Sequence, residues 1–299
     1  MDDWIQLSLF DAPPLRITNK VRLIELFSGI GAQAKAMERL GADFETWRAY
    51  DIDKYAVQAY NAIHGTSFVP TDITKIHAED LGICARDKFT YLLTYSFPCQ
   101  DLSLSGRQKG MKRGSGTRSG LLWEVERLLL ECGDNLPQIL VMENVRQVIA
   151  DKNKRDFDEW RESLAMMGYT SQYQILNAKD YGIPQNRQRC FMVSWLGNYS
   201  YEFPKPIPLQ RKLKDLLEDN VQEKYFLTDD QIATFQAKTA ENRQNGKGFG
   251  FHPIEIDEST HTHTHRSHIQ SSQGTEHGLM EHTSYKTPPL ILSEEGEQK

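Results

Sequence analysis

The run Val21-Arg-Leu-Ile-Glu-Leu26, followed at once by Phe27-Ser-Gly-Ile-Gly31, decides the fold. The first six residues have the length and apolar content of a strand. The next five form a glycine-rich turn. Ala36, Met37 and Leu40 then recur at helical spacing, and Gly41 is placed to stop that helix. Strand, glycine turn and helix in that order open an α/β unit. Such a turn lets a backbone approach a ligand closely, and the helix N-terminus behind it favours anionic groups.

Working outward, the alternation repeats. Thr46–Tyr50 reads as a strand ending at Asp51, followed by a helix face of Tyr55, Ala56, Ala59, Tyr60 and Ile63. Phe89–Tyr95 is a third strand and runs into Pro98-Cys99; Leu121, Leu122, Val125, Leu128 and Leu129 stripe the next helix. Gln138–Met142 reads as a strand ending in Glu143-Asn144, before a helix striped by Phe157, Trp160, Leu164 and Met167. Tyr169–Leu176 and Cys190–Trp195 read as late strands separated by a polar loop. Strands alternating with helices predict a mostly parallel sheet covered on both faces. Ligands bind such sheets beyond the carboxyl ends of the strands. Gly29, Gly31, Asp51, Cys99 and Glu143 are therefore expected along one sheet edge.

Composition narrows the class. The 299 residues carry 35 basic and 41 acidic side chains, so the formal charge is 35 − 41 = −6. That balance argues against coating nucleic acid by bulk charge and leaves room for a local basic patch. No run approaches the ~18 apolar residues of a membrane span. Met1-Asp2-Asp3 does not open a secretory signal. Cys84, Cys99, Cys132 and Cys190 have neither disulfide nor metal-ligand spacing, so a reduced, cytoplasmic protein without a metal is expected.

Three regions are expected. Residues 1–20, with Pro13-Pro14, read as an N-terminal arm, and 21–200 as the α/β domain. Residues 201–299 read as an irregular region in which Thr228 and Gln231 form a capping box. Its tail is poor in apolar residues and holds His261, His263, His265 and His268, read as a solvated polar stretch.

The chemistry-bearing residues follow from position. Asp51 lies 22 residues after Gly29, close to the ~20 at which an acid accepts ribose hydroxyls. This pair does not distinguish a nicotinamide dinucleotide from S-adenosylmethionine. A third glycine is absent, since Gln33 and Ala34 occupy that region. Cys99, at a strand's carboxyl end, is placed as a nucleophile; its thiolate form must be favoured by the site. The loop from Ser103 to Ser119 carries Arg107, Lys109, Lys112, Arg113 and Arg118 and no carboxylate. Five cations beside a nucleophile suggest that a polyanion lies there, since Lys and Arg contacts to phosphates position a nucleic acid without reading its sequence. Glu143, at the end of a buried strand, is expected to be desolvated and so able to hold a proton near neutral pH. Arg187 and Arg189 point to one side of an extended segment and could hold an oxygen, a phosphate or Glu143.

Taken together, these residues resemble the cytosine-5 DNA methyltransferase family, of the restriction–modification or phage type. The order of motifs is Phe-Ser-Gly-Ile-Gly (27–31), Asp51, Asp72-Ile73, Pro98-Cys99-Gln100, Glu143-Asn144-Val145 and Gln185-x-Arg187-x-Arg189, over about residues 21–196. The resemblance implies a Rossmann-like fold, S-adenosylmethionine as methyl donor and cytosine in double-stranded DNA as acceptor. It implies Cys99 as the nucleophile at ring carbon C6 and Glu143 as the group that protonates N3. Arg189 would bind the base carbonyl, with Arg187 in support. Phe27, Gly29, Gly31, Asp51, Ile52, Asp72, Ile73, Pro98 and Leu121 would line the cofactor site. The base would be flipped out of the duplex to react.

The sequence departs from the family in two respects. Ser96 stands where a glycine is common before Phe-Pro-Cys. After Gly250 neither the Arg/Leu/Thr-type segment nor the Gly-Asn-Ser helix of the family is found, so residues 201–299 resemble a target-recognition region that is begun and not finished. Three explanations follow: a shortened chain, a second polypeptide that supplies the missing pieces, or an inactive remnant. The alternatives are a non-catalytic DNA- or partner-binding subunit and, more distantly, a nicotinamide-dependent oxidoreductase.

Overall fold

The computed structural model describes residues 12–102, 110–246 and 250–251. Six strands form one sheet: β1 (Lys20–Leu26), β2 (Phe44–Tyr50), β3 (Phe89–Tyr95), β4 (Ile139–Val145), β5 (Tyr169–Asn177) and β6 (Gln188–Leu196). Their order is β2-β1-β3-β4-β6-β5. β1 pairs in parallel with β2 and β3, β3 pairs in parallel with β4, and β6 runs antiparallel to β4. The chain moves one way from β1 to β2 and the other way to β3. A crevice therefore opens between the carboxyl ends of β1 and β3, where sheets of this kind bind ligands.

The helices are α1 (Ala32–Arg39), α2 (Lys54–His64), α3 (Ala78–Leu81), α4 (Leu122–Cys132), α5 (Asp151–Met166) and α6 (Asp229–Gln244). Side chains alternate across the pleat, and the core divides accordingly. Ile24, Leu26, Leu93, Tyr95, Leu140 and Met142 pack with Leu122, Val125 and Leu129 of α4 and with Phe157, Trp160 and Leu164 of α5. Val21, Leu23, Leu92 and Ile139 point the other way, onto Ala34 of α1, Tyr60 of α2 and the chain at Tyr201 and Phe203. A sheet covered on both faces explains why apolar side chains of β1, β3 and β4 are buried on each side of it.

Two helix faces differ from the sequence expectation. In α1 the buried residue is Ala34, while Leu40 is 80% exposed. In α2 Val57 and Tyr60 are buried, and Tyr55 and Ile63 face outward. Both helices are short, so a few apolar residues outside the true face shift the apparent stripe.

By internal contacts the described chain falls into two units. The first comprises residues up to Leu176 together with Gln188–Pro204. Residues 12–15, expected as part of an arm, are tied into it: Leu15 N–H donates to Ser200 C=O and Ser200 N–H to Pro13 C=O. The second unit comprises Asn177–Arg187 and the described residues from Lys205 onward. It includes the Tyr181–Ile207 bridge and α6, whose N-terminus carries the Thr228/Gln231 capping box. Phe235 and Phe251 stack there, and Phe251 N–H donates to Thr239 Oγ1. Among the described residues no helix is long and apolar enough to cross a membrane.

Candidate active site

The glycine turn has unusual backbone geometry. Phe27 has φ 58° and Gly29 φ 55°. A positive φ is uncommon for a bulky residue such as Phe and marks a constrained site. The two glycines serve different needs. A Cβ at Gly29 would meet nothing within 4 Å, so that position faces open space. A Cβ at Gly31 would lie 2.3 Å from His64 Nε2 and 2.6 Å from a Tyr60 ring atom. Gly31 is thus fixed by packing against α2 and Gly29 by the shape of the turn.

Asp51, just after β2, is bound on both oxygens. Oδ2 accepts the Gly29 N–H and Oδ1 the Asp53 N–H, each at 2.9 Å. Each carboxylate oxygen keeps a lone pair for a further donor. Ile52 beside it is 70% exposed, an apolar side chain left uncovered at the rim. Asp72 caps the single 3-10 turn Ile73–Lys75; the Thr74 backbone and hydroxyl hold its carboxyl below the usual range. Ile73 is buried. A carboxylate with free lone pairs, an open glycine and an exposed aliphatic side chain form a donor set that fits an adenosine. Pro98 and Leu121 are both half-buried.

The segment before Cys99 is held at three consecutive residues by three different elements. Gln33 of α1 donates from Nε2 to Ser96 Oγ at 3.2 Å. Asn144 of β4 donates from Nδ2 to Phe97 C=O at 2.9 Å. Ser119 donates from Oγ to Pro98 C=O at 2.7 Å. Cys99 itself is half-buried and packs against the α4/α5 side of the core. It is not sealed in: Cys132 and Cys190 are, and burial pushes their thiols up to about 11 and about 12. Accessibility separates Cys99 from those two inert cysteines.

Glu143 and Asn144 lie within β4, which runs three residues further than the sequence suggested. Arg189 likewise lies within β6. Cross-strand register pairs Glu143 with Phe191 and Val145 with Arg189, so Glu143 and Arg189 are diagonal neighbours on one face. Their side chains form an ion pair, Nε to Oε1, at 2.9 Å. Glu143 is about a quarter exposed, not shut away from water as strand-end burial suggested. Arg187 belongs to the second unit, where its N–H donates to Asn177 Oδ1 at 2.9 Å.

Of the five loop cations, Arg107 and Lys109 lie outside the described residues, as does the histidine stretch at 261–268. Lys112 is exposed. Arg113 is not a free cation: it pairs with Glu126 and with Glu159 and lies 4.0 Å from the Trp123 ring centre. Glu126 is itself buried and also accepts from Ser163, so this cluster anchors the loop's end to α4 and α5. The expectation of a phosphate contact overlooked these acids because they lie on helices distant in sequence. Arg118 donates to Gln100 Oε1 at 2.6 Å, and its N–H to Asp101 Oδ2 at 2.9 Å. Among the described residues no group of three or more His, Cys, Asp or Glu could hold a metal ion.

Residue spacing alone did not reveal Asn144, Ser119 and Gln33 as supports of the Cys99 segment. Asn144 was visible as part of a motif; Gln33 and Ser119 carried no signal of their own.

The model for C-5 cytosine-specific DNA methylase matches residues 21–297, well past the motifs that end near Leu196. The chain is 35% identical over 263 residues to the orphan methyltransferase M.SssI of Spiroplasma monobiae, covering 70% of this chain and 68% of that protein. It is 36% identical over 244 residues to the type II methyltransferase M.NlaX of Neisseria lactamica, covering 81% and 74%. Against the type II methyltransferase M.HhaI of Haemophilus parahaemolyticus it is 32% identical and spans 60% of that protein's length. The crystal structure of S. pombe Dnmt2 methyltransferase superposes with a TM-score of 0.58 over 81% of this chain and 70% of that one, at 23% identity. That likeness shows the shared fold. With the family match running over most of its length, the chain belongs to the C-5 cytosine-specific DNA methylase family.

Proposed function

We propose that this chain methylates C5 of a flipped cytosine in double-stranded DNA through a covalent bond from Cys99 to the base. Family membership gives the reaction, DNA cytosine-5 methylation, and the donor, S-adenosylmethionine. When bound, the donor supplies an electrophilic methyl group. The turn at 27–31, with Asp51, Ile52, Asp72, Ile73, Pro98 and Leu121, would hold it.

Cytosine C5 is too weak a nucleophile to take a methyl group directly. In this reading the Cys99 thiolate adds to C6, the C5–C6 π electrons shift into the C4–C5 bond, and N3 takes a proton from the Glu143 carboxyl. The enamine carbon C5 then accepts the methyl group; a base removes the C5 proton, the C6–S bond breaks to release Cys99, and N3 returns its proton to Glu143. Arg189 has two duties: its ion pair orients Glu143, and its remaining N–H groups can donate to the base carbonyl. A stacked base exposes neither C6 nor N3, so the cytosine must leave the helix at a cost of a few kcal/mol. Lys112 and Arg118, with Arg107 and Lys109, would steady the opened DNA.

The observation that carries this reading is the anchoring of the Cys99 segment by Asn144, next in sequence to Glu143. One strand thereby positions both the acid and the loop that bears the nucleophile. The test is tritium transfer from labelled S-adenosylmethionine to genomic DNA. Label should enter cytosine with the wild type and be lost in Cys99→Ala. Labelling by the purified chain also means that no second polypeptide is required. Salt-sensitive DNA binding without labelling would favour the non-catalytic subunit.

A further inference from the structure

Gln33 and Ser96 belong to the two halves of the site. Gln33 lies in the first turn of α1, two residues after Gly31, and so moves with the glycine turn. Ser96 directly follows β3 and stands three residues before Cys99. β1 and β3 are paired as far as Leu26 and Tyr95, and Ser96 N–H reaches back to Leu26 C=O at 3.4 Å. The two strands part at this point. Across the opening Gln33 Nε2 donates to Ser96 Oγ at 3.2 Å.

The supports of the next two residues have a different origin. Phe97 is held from β4, on the far side of β3 from β1, and Pro98 from the turn before α4. The Gln33 contact therefore joins the cofactor side to the nucleophile side. Both groups are half-buried, where a neutral hydrogen bond is less exposed to competing water than at the surface.

We propose that the Gln33–Ser96 hydrogen bond is a positioning link that couples occupancy of the cofactor turn to the placement of Cys99. A filled turn fixes the first turn of α1, and Gln33 passes that order to the Pro98-Cys99 segment. The inference rests on the reading of Cys99 as the nucleophile.

The test uses the full chain and amplified genomic DNA in which 5-fluorocytosine replaces cytosine. Adduct formation is timed with and without S-adenosylmethionine, and S-adenosylhomocysteine affinity is measured calorimetrically without DNA. Ser96→Ala and Gln33→Leu should each slow trapping in the presence of cofactor about fivefold, the share of one neutral hydrogen bond. The double variant should be no slower than either single one. Ser96→Thr, which keeps the hydroxyl, should trap at close to the wild-type rate. Calorimetric affinity should stay within about twofold, and melting midpoints confirm that each variant is folded. Wild-type rates in both single variants, or a double variant slowed by the product of the two, would overturn the link. So would a loss of cofactor affinity equal to the loss in rate, which would confine the bond to the turn. Failure of the Cys99 reading looks different: the wild type forms no adduct, or Cys99→Ala still forms one, and the link then falls with it.

Discussion

Arg189 Nε lies 2.9 Å from Glu143 Oε1, across two antiparallel strands whose register sets them diagonally on one face. Neither residue is on a loop, so the pair is held by the sheet and not by a mobile segment. In the proposed mechanism a proton donor set this way needs little reorganisation to reach a base. Glu143→Gln keeps the shape and would remove the proton offered to N3. Its rate of methyl transfer should fall at least about a hundredfold, within the usual span for losing such a group. Arg189→Ala should fall comparably. DNA binding by gel shift should change little in Glu143→Gln; equal losses in binding and rate would show that Glu143 serves binding alone.

Asn144 is 2% exposed and gives its amide to Phe97 C=O. Its own Oδ1 accepts the Val145 N–H at 2.8 Å. Asn144→Ala leaves a buried carbonyl unpaired, which costs about 1–3 kcal/mol. A lower melting midpoint and slower methylation are expected together. An unchanged midpoint would mean that the Phe97 carbonyl finds another donor.

Asp51→Ala removes the acceptor of the Gly29 and Asp53 N–H groups. The turn then loses its tether and, in the proposed cofactor site, the carboxylate that would accept the ribose hydroxyls. S-adenosylhomocysteine affinity, measured by calorimetry, should weaken by roughly tenfold or more, the loss of one or two charge-assisted hydrogen bonds. Unaltered affinity would place the adenosine elsewhere.

Glu25 on β1 is fully buried, and Tyr60 donates its hydroxyl to Oε2. Burial pushes its carboxyl from 4.5 up to about 7. A carboxyl raised by folding contributes stability that is complete below pH 4.5. That contribution declines as pH rises and is lost above about 7, because the unfolded chain ionises first. Between pH 4.5 and 7 the wild type should therefore lose stability relative to Glu25→Gln, by on the order of a few kcal/mol in all. Melting curves of both proteins at pH 5 and pH 7.5 measure the difference. A gap that does not change with pH would mean that Glu25 has the same proton affinity folded and unfolded.

The sheet was legible in the sequence because β1, β3 and β4 each carry a short apolar centre, Leu23-Ile24, Tyr91–Leu93 and Ile139–Met142, with a chemically distinctive segment close behind it. The stripes of α4 and α5 were legible for the same reason: each helix has one broad buried face. α1 and α2 were less so, since Leu40, Tyr55 and Ile63 are apolar and yet exposed. The strand ends at Glu143 and Arg189 were set too short because charged residues end an apolar run in sequence but not an antiparallel ladder. Arg113 looked like a loop cation because its partners Glu126 and Glu159 sit on α4 and α5. The tether from Gln33 to Ser96 depends on the separation of β1 and β3, which no local pattern records.

The most direct test of covalent catalysis is mass spectrometry of the protein after incubation with S-adenosylmethionine and the 5-fluorocytosine DNA. Fluorine at C5 cannot leave as a proton does, so the C6–S bond cannot be broken by elimination. The account predicts a denaturation-stable adduct in which the methylated base is attached to the peptide bearing Cys99, and no adduct in Cys99→Ala. Methylation of ordinary DNA without any such adduct, or an adduct on Cys84, Cys132 or Cys190, would contradict it.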